Sequence, residues 1–143
     1  MYIFGLPLHP LVVHAAVVLI PLASIGALSV VVSSRARERF GWLTVAFAVA
    51  AAGAAITAKV SGEALAQALG GIAPLIATHR QYGELTPWPA VALAVTLPAG
   101  LLIRGRSKPA WVAAAVLSVL AALAGLVLVV LTGDAGARAV WGS

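Results

Sequence analysis

Seven side chains of this 143-residue chain could do chemistry within or beside its apolar stretches: His9, His14, Lys59, Glu63, His79, Glu84 and Asp134. Neutral imidazoles with a carboxylate suit a transition metal such as Zn, Fe or Cu, and two imidazoles alone suit a b-type haem. His14 and His79 are therefore the candidate cofactor-binding pair. His9, His14, Glu63 and His79 are the candidate metal ligands. Their spacing is diagnostic of neither. His9 and His14 lie five residues apart, about 140° around a helix, so they do not share a face. Pro10 pushes His9 out of helical geometry, which makes His14 the inward-facing imidazole.

Lys59 and Glu63 stand at i,i+4. They form either a local ion pair with a snorkelling lysine stem, or a site in which Glu63 faces His14 as ligand or proton acceptor. Asp134 follows Gly133 at the expected end of the last helix. It either caps that turn, with an ion pair to Arg138, or joins the polar cluster. The chain has no cysteine, which removes disulfides, thiolate metal sites and cysteine nucleophiles. It has no glycine-rich phosphate loop and no Ser-His-acid set. No catalytic residue is assigned, and a binding or accessory role is favoured over an enzyme.

The elements that must position these groups are membrane spans. Hydrophobic residues make up 62% of the chain and charged residues 9%, against about 25% charged in soluble domains. A span needs about 20 apolar residues. Runs of that kind cover 11–32, 42–60, 84–103 and 110–131, with a short outer helix at 61–69 ending at Gly70-Gly71. The first run is too long for a cleaved signal and reads as an uncleaved span. Pro21 falls inside the first span. The third is expected to be long and bent near Pro87 and Pro89, to begin near Pro74, and to carry His79 at its outer end. Ala and Gly dominate the second and fourth spans, and such small residues let helices approach closely in lipid. The expected fold is all-α: a single polytopic domain, residues 1–143, forming a four-transmembrane-helix bundle. No convincing repeat is visible, although both halves read helix, basic loop, helix.

The net charge of +5 points to topology and not to nucleic acid. Arg35, Arg37 and Arg39 with Glu38 occupy loop 33–40, and Arg104, Arg106 and Lys108 occupy loop 104–109. On the other side Lys59, Arg80 and Arg138 balance Glu63, Glu84 and Asp134. Basic loops stay in the cytoplasm, which places both termini and the polar cluster on the extracytoplasmic side. Aromatic residues, which prefer the headgroup level, agree: Phe40, Trp42 and Trp111 fall at inner ends of spans, and Tyr2, Tyr82, Trp88 and Trp141 at outer ends.

Leu8-His9-Pro10-Leu11-Val12-Val13-His14 resembles the HPxxVH opening of a bacterial integral membrane family with a domain of unknown function. The resemblance continues through Ser61-Gly62-Glu63, His79 with Gly83, Thr132-Gly133-Asp134-Ala135-Gly136 and Val140-Trp141-Gly142, nearly the whole chain. Asp134 stands where many members carry a histidine. The resemblance implies four transmembrane helices in the bacterial plasma (inner) membrane. Because some relatives are fused to iron–sulfur or cytochrome domains, it also implies a redox association. The leading expectation is an outer-leaflet site for a transition metal or haem b serving a redox role, with the bilayer, a membrane complex or a second copy as partner. The alternative is a non-catalytic accessory or assembly subunit whose polar cluster locks the bundle. A third is a proton or solute carrier using Glu63 and Lys59.

Overall fold

The structure is a computed structural model. It describes residues 2–3, 6–70 and 76–142, and of residues 2, 3, 6 and 7 the backbone alone. A two-residue antiparallel ribbon, β1 (Tyr2–Ile3) against β2 (Leu6–Pro7), opens the chain. Five helices follow: α1 (Leu8–Val32), α2 (Ser34–Ala68), α3 (Ala77–Leu85), α4 (Pro87–Ile103) and α5 (Lys108–Trp141). Among the described residues, four helical stretches are long and apolar enough to cross a membrane: α1, α2, α3 continued by α4, and α5.

Local chemistry explains the element ends. Ser33 and Ser107 are extended N-caps, and their hydroxyls accept the N–H groups of Ala36 and Ala110. Pro87 and Pro89 lie in the first turn of α4, where a missing N–H is harmless, and they interrupt the ladder at Thr86. Pro10 likewise falls in the first turn of α1, so His9 is helical and not ahead of the helix, as Pro10 suggests in the sequence. α2 runs unbroken through 61–68, where the sequence suggests a separate short helix. It ends at Ala68, and Gly70 just beyond has a φ of +82° that a side chain would strain. Gly71 and Pro74 lie outside the described residues, as does the side chain of Tyr2.

The interior is made of small residues and the exterior of large apolar ones. Ala23, Ala27, Ala48, Ala51 and Ala122 are buried, while Val18, Ile25, Leu43, Val95, Leu120 and Val130 are exposed. A water-soluble bundle has the reverse distribution. In lipid, exposed leucine and valine cost nothing and small residues bring backbones together. Hydroxyls inside the spans bond the carbonyl one turn back, as Thr44 does to Phe40 and Ser118 to Ala114.

α1 packs on α2 and α5, and α4 packs on α5 and α2, so the four spans form a closed ring. The two hairpins repeat the same roles at one constant sequence offset, the interval from Ser33 to Ser107. Those two serines are the caps. Thr44 and Ser118 are the buried back-bonding hydroxyls. Gly26 and Gly100 are the close approaches, where an added Cβ would lie 2.8 Å from Thr44 and 3.1 Å from Ala114 and Trp111 respectively. Arg37 and Trp111, separated by the same offset, stack on each other with the guanidinium 4.6 Å from the ring centre. Equivalent residues that touch lie on the relating axis, so the bundle has a pseudo-twofold running along its length.

Replacement of Gly26 by leucine should therefore destabilise the α1–α2 hairpin by about 1–3 kcal/mol. Gly53→Leu, where an added Cβ meets nothing within 4 Å, should change stability by less than about 0.5 kcal/mol. Unfolding of the two variants in detergent is the check, and equal stability would refute the packing assigned to Gly26.

Candidate functional site

At the end of the bundle that carries both termini, two imidazoles from separate helices come together. His9 lies in the first turn of α1 and His79 in the first turn of α3. Their ring centres are 6.4 Å apart and their planes are inclined by 78°. Each ring is anchored on a third helix. His9 Nδ1 donates to the carbonyl of Ala58 in α2 at 2.9 Å, and His79 Nδ1 donates to the carbonyl of Thr132 in α5 at 2.8 Å. A carbonyl only accepts, so both imidazoles carry a proton on Nδ1, and in the neutral ring Nε2 is the acceptor.

A helical carbonyl is normally covered by the side chain four residues further on, which leans back toward the N-terminus. Four residues after Ala58 and Thr132 come Gly62 and Gly136. A Cβ at Gly62 would lie 2.9 Å from Cε1 of His9, and one at Gly136 would lie 2.9 Å from Nδ1 of His79. Each glycine removes the shield from the carbonyl and makes room for the ring. Ser61 adds a longer 3.4 Å contact to His9 Nδ1, and its hydroxyl also donates to Ala58. On the other side Thr132 and Thr86 join their hydroxyls at 3.2 Å. Gly62 and Gly136 are separated by the same offset as the capping serines, and so are Ala58 and Thr132. The carbonyl and glycine of the two half-sites thus obey the pseudo-twofold.

The imidazoles line a cavity of about 450 Å³, within the range of about 300–1,000 Å³ that holds small molecules and cofactors. Its walls come from α1, α2, α3 and α5 and are mostly apolar, with Lys59, Glu63, Arg80 and Glu84 as the charged lining residues. Arg80 pairs with Glu84 at 2.7 Å. Among the described residues no ion pair joins Lys59 to Glu63, although the i,i+4 spacing permits one. Asp134 pairs with Arg138 at 2.8 Å on the exposed face of α5, and neither lines the cavity. His14 is exposed, bonds the carbonyl of Pro10 in its own helix through Nδ1 at 2.6 Å, and is not part of the cavity wall. The structure thus brings His9, His79, Glu63 and Lys59 around one space and leaves His14 and Asp134 outside it. Among the described residues no three His, Asp or Glu side chains converge to hold a metal ion.

These landmarks span the chain from its first helix to its last, as does its family relationship. The predicted membrane protein family DUF2231 matches residues 5–143. The chain belongs to that family. No curated protein and no solved structure matches it. The family description states a membrane protein and no activity, so the chemistry of this DUF2231 chain rests on the site itself. Sequence reasoning does not single out Gly62 or Gly136 as functional. The signal that finds them is an equality: the interval from the capping Ser33 to Gly62 is the same as that from Ser107 to Gly136.

If the glycines serve the rings, Gly62→Ala and Gly136→Ala should each break one Nδ1–H···O=C bond, at a cost of about 1–3 kcal/mol. Nitrogen NMR of the histidine side chains should show two Nδ1–H imidazoles in cross-helix bonds, with one lost in each variant. An unchanged spectrum would sink the assignment.

Proposed function

We propose that the cavity binds a b-type haem between His9 and His79 and that the protein is a one-haem electron-transfer cytochrome. One observation carries this reading: two anchored imidazoles with free Nε2 lone pairs and ring centres 6.4 Å apart. A metal–imidazole bond is about 2.0 Å. A five-membered ring with bonds near 1.35 Å sets each nitrogen about 1.15 Å from the centre. Two imidazoles on opposite sides of one iron therefore have centres about 6.3 Å apart. Bare aromatic rings packed edge to face cover a range of about 4.5–7 Å, so it is the distance together with the two fixed tautomers that favours ligation.

The rest of the wall fits the group. Carbonyls that hold Nδ1 fix the tautomer and raise the basicity of a ligating imidazole. The cavity is apolar enough for a macrocycle, and Lys59, which pairs with neither Glu63 nor Glu84 among the described residues, offers a cation for a carboxylate. Among the described residues no third His, Asp or Glu converges on the pair, so His9 and His79 are the two residues that would hold the group. A haem held by His9 and His79 would supply one-electron transfer. In this reading His9 takes the place that the sequence suggests for His14. The accessory-subunit alternative would leave the same imidazoles as a packing device.

The purified protein from haem-replete cells should show a Soret band and a low-spin ferric signal. His9→Ala and His79→Ala should each lower haem occupancy more than about tenfold, and His14→Ala should keep it. A well-folded protein that has no Soret band and does not take up added haemin would overturn the proposal.

We also assign the site to the extracytoplasmic side of a bacterial inner membrane. The support is charge: both inter-span turns at the opposite end are arginine- and lysine-rich, and such turns stay in the cytoplasm. A periplasm-dependent phosphatase fused after Ser143 should be active, and a fusion after Arg106 should not. The reverse pattern would invert the assignment.

A further inference from the structure

The net charge of +5 sits at the end of the bundle opposite the cavity, where Arg35, Arg37, Arg39, Arg104, Arg106 and Lys108 stand against one acid, Glu38. Topology accounts for basic turns but not for where each side chain points. Arg37 turns inward. Its guanidinium region donates to the carbonyls of Val30 and Val31 at 2.9 and 2.7 Å and stacks on Trp111. Arg35 and Arg39, two residues to either side, are exposed. Among the described residues neither is in an ion pair, with Glu38 or with any other acid.

The two arginines head a stripe. From Arg35 it runs through Arg39, Trp42, Ala46 and Ala50 to Gly53, all six exposed. At 100° per residue they fall within about 80° of one face of α2. Trp42 marks the headgroup level, which an indole prefers. Ten residues of helix cover about 15 Å, half of a hydrocarbon core about 30 Å thick, so Ala46, Ala50 and Gly53 line the leaflet beneath Trp42. They form a shallow trough between the larger exposed Leu43 and Val49, and a Cβ added at Gly53 would meet nothing within 4 Å. The pseudo-twofold supplies a control. The equivalent stripe on α5 is Pro109, Ala113, Val116, Leu120, Ala124 and Val127, equally exposed. It has no cation, no indole and larger residues at two of the three trough positions. Both stripes start at the same membrane surface, so a general need for positive charge or for an apolar face does not distinguish them.

We propose that this face of α2 binds one anionic phospholipid, with its phosphate between Arg35 and Arg39, its glycerol against Trp42 and an acyl chain over Ala46, Ala50 and Gly53. Guanidinium is suited to phosphate oxygens, and cations at this depth are drawn to anionic headgroups. A zwitterionic lipid carries its own ammonium, which competes with the arginines for the phosphate. The site is independent of what the cavity holds.

The test uses the full chain in phosphatidylcholine nanodiscs. Brominated acyl chains quench an indole that they touch, and the part of the quenching that disappears in Trp42→Phe reports on the lipid beside Trp42. Phosphatidylglycerol with brominated chains should half-saturate that quenching at a mole fraction about tenfold below that of phosphatidylcholine with the same chains. The double variant Arg35→Gln/Arg39→Gln should erase the difference, and Arg104→Gln/Arg106→Gln should keep it. Among the described residues the side chains of Arg35 and Arg39 make no hydrogen bond, and Arg39 only approaches the ring of Phe40 at 5.8 Å, so the first double variant should unfold at the temperature of wild type. Equal quenching of wild type by the two lipids would overturn the proposal, as would a preference that survives loss of Arg35 and Arg39 in the folded variant. An equal loss in both double variants would reduce the effect to a diffuse field and refute the site. Relief of the quenching by free glycerol phosphate would show a site for phosphate alone and refute the lipid.

Discussion

Everything at the candidate site depends on a backbone carbonyl that has been uncovered. In a transmembrane helix each carbonyl already accepts one hydrogen bond from its own helix, and the side chain one turn on normally hides what remains of its acceptor capacity. Gly62 and Gly136 remove that cover above Ala58 and Thr132. An imidazole can then enter from a neighbouring helix, donate from Nδ1 and become rigid. The bond does three things together. It satisfies a polar group of the ring, it fixes a proton on Nδ1, and it ties α1 to α2 and α3 to α5 at this end of the bundle.

The pseudo-twofold turns one such device into a pair. Arg37 and Trp111 stack at the basic end, and the two imidazoles meet at the other. Between them, the axis passes small buried side chains of all four spans, with Ala48 and Ala122 in equivalent positions. An axis of this kind leaves a gap bounded by the same chemical group on both sides. The second half departs from the repeat in one respect. His79 stands four residues further ahead of its capping serine, Ser107, than His9 stands ahead of Ser33. The extra turn is the α3–α4 junction, where Thr86 and two prolines let α3 reach back over α5.

The four spans are legible in the sequence because hydropathy, basic turns and aromatic placement all derive from the same solvent, a bilayer. The gathering of polar residues at one end is legible for the same reason. The identity of the paired imidazoles is not. In the sequence Pro10 reads as a break before the helix, which makes His9 a loop residue. In the structure Pro10 occupies the one turn that tolerates it, and His9 moves inward by being helical. His14 then points away from the cavity, because five residues along a helix turn it well away from His9. Lys59 and Glu63 also show the limit of spacing rules: i,i+4 permits an ion pair, and the pairs that form are Arg80–Glu84 and Asp134–Arg138. The two glycines stay hidden because a glycine in a span is ordinary until the residue that fills its space is known.

The departure from symmetry makes the two sides of the cavity chemically different. Five residues after His9 comes His14, and five residues after His79 comes Glu84. Both halves thus put a titratable group at the same step beyond their imidazole. Glu84 lines the cavity and is held by Arg80 at 2.7 Å, so its charge is already answered. His14 lies on the lipid side with one nitrogen answered by its own helix and the other open. A ligand that needed an anion neutralised would find no advantage on the α1 side, and one that needed a proton accepted would find none on the α3 side while the ion pair holds. The fold therefore brings two similar imidazoles together at one end of the bundle and gives them chemically different flanks.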